Sequence, residues 1–309
     1  MAEPPTVTPD RRVGWALAAS GILLVSLDAF FVRLADAPGA TVAFLMACGS
    51  VITLGIGAVA RSGGPTATLR RTAPMWRPLL LLAVLSAATQ AAFIIAVSRT
   101  SVANVVVIVA AAPLAAALIA RVTIGERPRR AVSVGIGMSA GGVALVMSGS
   151  VGSPSVDGDL IAVLAIVCFA GSIVVWRSAP DLDRPVTLAT GSLMMFTGLI
   201  PFVEWSAIDS RALLAAGAMG AITNPLGRML YSSAPRLAPA AEVAMFAPVE
   251  TVAATAWVWI AFAEAPSPRT AVGGLVVVGA VVVATRPERR PVSASAPACP
   301  ARRSPSRPG

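Results

Sequence analysis

The stretch Ser98 to Pro113 reads SRTSVANVVVIVAAAP, and a later one, Ser233 to Pro248, reads SAPRLAPAAEVAMFAP. Laid over one another they match at the opening Ser, at Ala103 with Ala238, and at the closing Ala-Pro. After a small insertion, Glu126-Arg-Pro lies over Glu264-Ala-Pro, and Gly135 and Gly141 lie over Gly273 and Gly279. The beginnings of the two halves agree more weakly, with Phe31-Val-Arg33 over Val175-Trp-Arg177. Any one of these matches is weak, but they fall in the same order, so the chain reads as two copies of one unit.

Composition says what medium the unit lives in. Of 309 residues, 56% are hydrophobic and only 13% are charged, and the mean hydropathy is +0.79. That is too apolar for a water-soluble domain of this length. A bilayer core of about 30 Å needs roughly 20 apolar helical residues. By that measure about ten segments qualify: Val13–Val32, Ala40–Ala60, Pro78–Val97, Val102–Ala120, Ala131–Met147, Leu160–Val175, Val186–Val203, Ala212–Leu230, Ala240–Phe262 and Ala271–Ala284. The sixth and tenth are short and must recruit flanking residues such as Trp176 and Thr285, or sit in thinned bilayer.

Charge placement supplies topology. All 24 basic residues are Arg, with no His, and the net charge is +9. With the N-terminus inside, about 20 arginines fall on the cytoplasmic side and about 4 (Arg33, Arg99, Arg211, Arg269) outside, as the positive-inside rule asks. Both termini are then cytoplasmic in the cell (inner) membrane. Arginines standing between apolar runs read as topology signals rather than a phosphate-binding face, so no nucleic-acid partner is expected. The competing reading of the first segment is a cleaved signal peptide, argued against by its length, by Asp28 within it and by its counterpart in the second half.

The chain divides into a cytoplasmic segment 1–12, a first five-helix repeat 13–148, a second repeat 159–286 and a disordered cytoplasmic tail 287–309 rich in Pro, Ser and Arg. An odd number of spans per unit makes the second copy enter from the opposite side, an inverted repeat.

Pro113, then Gly125-Glu126-Arg127, then Gly135 and the Gly141-Gly142 pair resemble the end of a repeat in the EamA-type transporters of the drug/metabolite transporter superfamily. The similarity covers nearly the whole chain apart from the tail, although the second copy departs with Ala263-Glu264-Ala265. It implies an all-α membrane fold of ten helices and export of small metabolites.

Ionisable groups in the hydrocarbon layer cost about 2.5 to 3.5 kcal/mol on insertion scales, so each asks for a partner or a wet cavity. Asp28 on the first segment and Gln90 on the third have similar depth and can meet, as a polar, protonatable substrate-binding position near the outer mouth of a cavity; the plainer reading is a carboxylate satisfied by Gln90 or Arg33. Glu250 falls near mid-membrane, with Asn224 at similar depth, and is the preferred proton-coupling position; otherwise it is a structural, hydrogen-bonded Glu. Arg228 and Glu242 stand equally far from the loop joining their segments and can form a gate near the cytoplasmic end; the plainer readings are a constitutive pair stabilising the hairpin, or an Arg that snorkels to the interface. Pro113 and Pro248 occupy equivalent places and break their helices, freeing the carbonyls of Val109 and Ala244.

Gly135, Gly137, Gly141, Gly142, Gly273, Gly274 and Gly279 supply small faces for helix contact. Trp15, Trp76, Trp176 and Trp205 are read as interfacial anchors, whereas Trp257 and Trp259 either anchor the outer leaflet or line the cavity, with anchoring expected.

Cys48, Cys168 and Cys299 are scattered, and no Walker loop, His cluster or nucleophile elbow is present. No catalytic residue, metal or cofactor is expected, and the chain does not read as an enzyme. The expected function is a secondary transporter moving a small metabolite, amino acid or drug-like compound by alternating access, with proton coupling allowed. Its partners are the lipid bilayer and a small-molecule substrate, and a homodimer is allowed. The alternatives are a membrane-embedded lipid-modifying enzyme and a non-transporting scaffold or receptor.

Overall fold

The computed structural model describes residues 11–99, 105, 108–147, 156–262 and 268–286. The expected N-terminal segment before residue 11, the tail 287–309 and the Glu264 turn lie outside the described residues. Among the described residues there is no strand. The helices of the first half are α1 (Arg11–Val25), α2 (Asp28–Ala35), α3 (Gly39–Ser62), α4 (Pro65–Thr72), α5 (Trp76–Arg99), α6 (Ala112–Thr123) and α7 (Arg130–Met147). The second half has α8 (Val156–Ser178), α9 (Arg184–Leu199), α10 (Ser210–Ala218), α11 (Asn224–Ser233), α12 (Ala240–Ala244), α13 (Ala247–Phe262) and α14 (Pro268–Ala284).

Among the described residues, 6 helical stretches are long and apolar enough to cross a membrane: Arg11–Ala35, Gly39–Ser62, Pro65–Phe93, Val156–Ser178, Arg184–Phe202 and Ala240–Ala261. Shorter apolar helices run Ala112–Thr123, Arg130–Leu145 and Ala271–Ala284.

Several helices are interrupted partway, each for a local reason. In the first segment the ladder lapses at Leu27: the Ser26 N–H still reaches Ile22 at 2.8 Å, but the Leu27 N–H reaches only Leu24 at 3.2 Å, and the Ser26 hydroxyl donates to the Leu23 carbonyl at 2.7 Å. Asp28 then opens α2. Turns at Ala110–Ala111 and Met245–Phe246 precede α6 and α13. Pro113 and Pro248 therefore stand in the first turn of a new helix, where a missing N–H costs nothing.

Between α10 and α11 lies a π-helical turn, Met219–Thr223. The Asn224 N–H bonds back to Met219, which leaves the Gly220 carbonyl free. Pro225 has no N–H to offer Ala221. Both carbonyls are taken by hydroxyls of α3, Ser50 to Gly220 and Thr53 to Ala221, each at 3.0 Å. Both carbonyls exposed by the irregular turn are thereby satisfied within the protein.

Alanines crowd the helix contacts, and many large apolar side chains face outward. One buried cluster joins Ala18, Ala116, Ala170, Ala234 and Ala244, whereas Ile56, Ile260 and Leu275 are 65–73% exposed. Small residues at helix contacts and apolar side chains on the outside are expected where lipid is the solvent and helices associate by close packing. The closest approaches are at glycines: a Cβ on Gly21 would lie 2.6 Å from the Tyr231 nitrogen, and one on Gly220 would lie 2.2 Å from the Met46 carbonyl oxygen. Gly135 and Gly142 of α7 likewise press on α14. Gly137, Gly141 and Gly279 meet nothing within 4 Å, so the expectation that they form contact faces is corrected.

Dominant pairings are α7 with α14, α5 with α8, α3 with α9 and α1 with α11. Helix α3 ends at Gly63, whose φ of +77° gives a left-handed cap closed by its N–H on Val59. Its successor α4 is a short polar helix carrying Arg70 and Arg71.

Two tryptophan expectations change. Trp176 is buried against Leu54, Leu82, Leu182 and Leu188 rather than set at an interface. Trp257 points into the bundle, donating to the Ser26 hydroxyl at 2.9 Å. Trp76 and Trp205 are exposed, 56% and 61%.

Candidate functional site

The interruptions of the first segment and of the α10–α11 segment lie side by side and bring polar groups together. Asp28, at the start of α2, accepts from Asn224 Nδ2 at 2.7 Å and from Thr223 Oγ1 at 3.4 Å. Asn224 is buried, and its Oδ1 has no partner among the described residues. One helical turn on, Arg228 donates to Ser86 of α5 and, at 3.2 Å, to Ser192 of α9. Arg228 and Asp28 are within electrostatic reach of one another. A guanidinium held by two neutral hydroxyls keeps donor capacity for an anionic group.

Glu250, on α13 just beyond the Met245–Phe246 turn, is within electrostatic reach of both Asp28 and Tyr231. The Tyr231 hydroxyl donates to the Val243 carbonyl at 3.1 Å, beside the same turn. Two carboxylates, one guanidinium and an unpartnered amide oxygen thus share the interior of an otherwise apolar bundle. Such groups are costly there unless they bind something polar or face water.

The sequence predicts Asp28, Asn224 and Glu250 at depth and Arg228 near the cytoplasmic end, and some of the expected partners differ from those in the structure. Asp28 is faced by Asn224 and Thr223, not Gln90, whose amide instead donates to the Ser86 carbonyl of its own helix at 3.3 Å. Asn224 serves Asp28, not Glu250. The expected gate between Arg228 and Glu242 does not form: Arg228 is taken by serines, and Glu242 binds elsewhere. Equal distance along two antiparallel segments gives equal depth, but not the same face of each helix.

Glu242 is 1% exposed. It accepts from Arg129 Nε at 2.8 Å and from Trp15 Nε1 at 2.9 Å, with Arg11 at 3.7 Å. Arg129 also donates to the carbonyls of Ala284 and Arg286, at 3.2 and 3.3 Å, closing the end of α14. Glu126, in the loop turned by Gly125 at φ +69°, accepts from Arg177 at 3.3 Å and from the Ala240 N–H at 3.1 Å. A carboxylate there complements the N-terminus of α12. These two carboxylates tie α1, the α6–α7 loop, α8, α12 and α14 together at one end.

Sequence reasoning missed Pro225, Thr223, the serines of α5 and α9, and Arg129. Pro225 was findable, being a third proline inside an apolar segment directly after Asn224. Ser86 and Ser192 carry no such signal, since serine is common in membrane helices.

The comparisons with known proteins bear on the whole chain. The sequence profile of the EamA-like transporter family matches residues 9–148 and 157–286. Comparison with curated proteins gives no match. A solved structure described only as the crystal structure of a protein is similar in fold, with a TM-score of 0.75 at 21% identity, covering 89% of this chain and 97% of its own. With both halves of the sequence matched by one profile, the chain belongs to the EamA-like transporter family, within the drug/metabolite transporter superfamily, and is a multi-pass membrane protein.

Proposed function

We propose that this protein is a secondary transporter of the cell (inner) membrane that exports a small polar or amphipathic metabolite, amino acid or drug-like compound by alternating access. The observation that carries the reading is the interior cluster of Asp28, Asn224, Arg228 and Glu250 at helix interruptions. Polar groups at broken helices near mid-membrane are the arrangement by which carriers hold substrate and coupling ion.

The chain crosses ten times as two inverted five-helix repeats, with both termini cytoplasmic. The helix pairings support this, because they survive exchange of the two halves. Exchange turns the α1–α11 contact into α8–α5, and leaves α3–α9 and α7–α14 unchanged. Helix breaks at equivalent places, before Pro113 and Pro248, obey the same exchange. The Asp28 and π-helix interruptions do not, so the site itself is asymmetric.

In this reading Glu242 with Arg129, and Glu126 with Arg177, close the cytoplasmic end while the cluster is reached from outside. Protonation of Asp28 or Glu250 then discharges the site and couples transport to the proton gradient. A lipid-modifying enzyme would need a nucleophile and base at one interface. The interior cluster has acids and an arginine instead, which suits binding better than reaction.

The test is efflux from proteoliposomes of a panel of radiolabelled amino acids and tetraphenylphosphonium, with and without an imposed proton gradient. Gradient-dependent movement of at least one compound is expected. Movement of none, by protein shown to be folded, would count against a carrier of these substrate classes.

A further inference from the structure

A polar cavity lies apart from the interior cluster, at the end of the bundle where α3, α4, α8 and α9 meet. It measures about 230 Å³ and is ringed by Arg61, Arg71, Arg184 and Arg236, with Asp181 and Asp183 on the same rim. Asp183 is engaged in capping α9, accepting from the Val186 N–H at 3.3 Å. Arg184 lies over the Trp176 ring at 5.4 Å, within electrostatic reach of Arg61 and Arg236. Like charges gathered round a cavity repel one another and are incompletely answered by the two aspartates, a formal surplus that an anion would neutralise.

The walls are not uniformly polar. Met75 and Leu79 line the cavity below the arginines. Leu80, the next residue on α5, is 42% exposed on the bundle's outside, and Leu69 on the adjoining α4 is 69% exposed. Trp76, 56% exposed with Arg77 over its ring, marks the level of a membrane–water boundary beside the cavity. Polar head space flanked by outward-facing apolar side chains of α4 and α5 fits a lipid better than a free ion.

We infer that this cavity binds the phosphate headgroup of an anionic phospholipid of the arginine-rich leaflet, with its acyl chains lying along α5. The site stands apart from substrate binding and survives if the transport reading fails. Basic pockets between membrane helices recognise anionic headgroups in this way. Arg71, on a short helix linked to the bundle through Gly63 and Gly64, can adjust to the phosphate, while Arg184 is fixed by its stacking and by its bonds to the Ser232 and Pro180 carbonyls.

The experiment is native mass spectrometry and thermal unfolding of the full chain in neutral detergent, titrated with phosphatidylglycerol, phosphatidylcholine or inorganic phosphate. Phosphatidylglycerol is expected to be retained at one molecule per chain and to raise the midpoint, with phosphatidylcholine and phosphate doing neither. Arg71→Gln and Arg236→Gln, both at exposed positions, should each weaken retention by about fivefold. Arg70→Gln, which removes the same charge outside the cavity, should not. Equal loss in Arg70→Gln would reduce the effect to general surface charge and overturn the site. An equal response to phosphatidylcholine, or to phosphate alone, would overturn the lipid assignment.

Discussion

Glu242→Gln removes the charge that holds one end of the bundle while keeping nearly the same shape. In the structure the Glu242 side chain is 1% exposed and that of Arg129 is 14% exposed, with 2.8 Å between their charged atoms. Breaking a buried pair costs about 3–5 kcal/mol. Arg129 keeps its bonds to the Ala284 and Arg286 carbonyls, so the lower end applies, about 3 kcal/mol. If that energy stabilises only the state closed at this end, the open population rises about 100-fold. The neighbouring Glu126→Gln acts on a 3.3 Å pair whose side chains are 27% and 20% exposed. Screening there leaves about 1 kcal/mol, or roughly fivefold.

The assay is maleimide labelling of a reporter cysteine at Ala117, which lines the cavity beside Glu242, in a chain whose Cys48, Cys168 and Cys299 are replaced by Ala. Labelling rates should rank Glu242→Gln, then Glu126→Gln, then parent. Unchanged labelling in a folded Glu242→Gln protein would refute the reasoning, since the pair would then be no part of what closes this end.

Other consequences follow from the same geometry. Gly220→Ala puts a methyl 2.2 Å from the Met46 carbonyl oxygen and should cost about 1–3 kcal/mol, read as a lower unfolding midpoint in detergent. Gly217→Ala meets nothing within 4 Å and should be neutral or slightly stabilising. Trp257→Phe deletes the bond to Ser26 and should cost about 1 kcal/mol by the same thermal measurement. Pro225→Ala returns an N–H to the Ala221 carbonyl and releases Thr53; infrared or exchange measurements should show a more protected helix there, with slower transport. An unchanged exchange pattern would show that Pro225 does not maintain the π-turn.

The membrane class was legible because it rests on composition and segment length, which leave little room for another solution in a chain of mean hydropathy +0.79. Repeat membership was legible from the Pro113 and Glu126 neighbourhood, which the family profile spans. Side-chain partnership was not. The expected Arg228–Glu242 pair came from matching depth alone, whereas the π-turn at Met219–Thr223 rotates the helix that follows and turns Arg228 toward Ser86 and Ser192. Likewise Glu242 finds Arg129, more than a hundred residues earlier, a distance no local pattern encodes. Trp176 read as an anchor because it ends an apolar run; burial against α3, α5 and α9 depends on how helices pack, not on where they end. Glycines were over-read for the same reason: Gly135 and Gly137 look alike in sequence, yet only Gly135 faces α14.

In the proposed cycle the interior carboxylates Asp28 and Glu250 carry protons as substrate moves. The direct measurement is proton flux, followed with a trapped pH dye, in proteoliposomes challenged with the amino-acid and tetraphenylphosphonium panel, comparing parent, Asp28→Asn and Glu250→Gln. Substrate-driven proton movement is expected in the parent and lost in Glu250→Gln, with Asp28→Asn impaired as well. Proton movement that persists in both variants at the parental rate would contradict it and leave the carboxylates as structural groups.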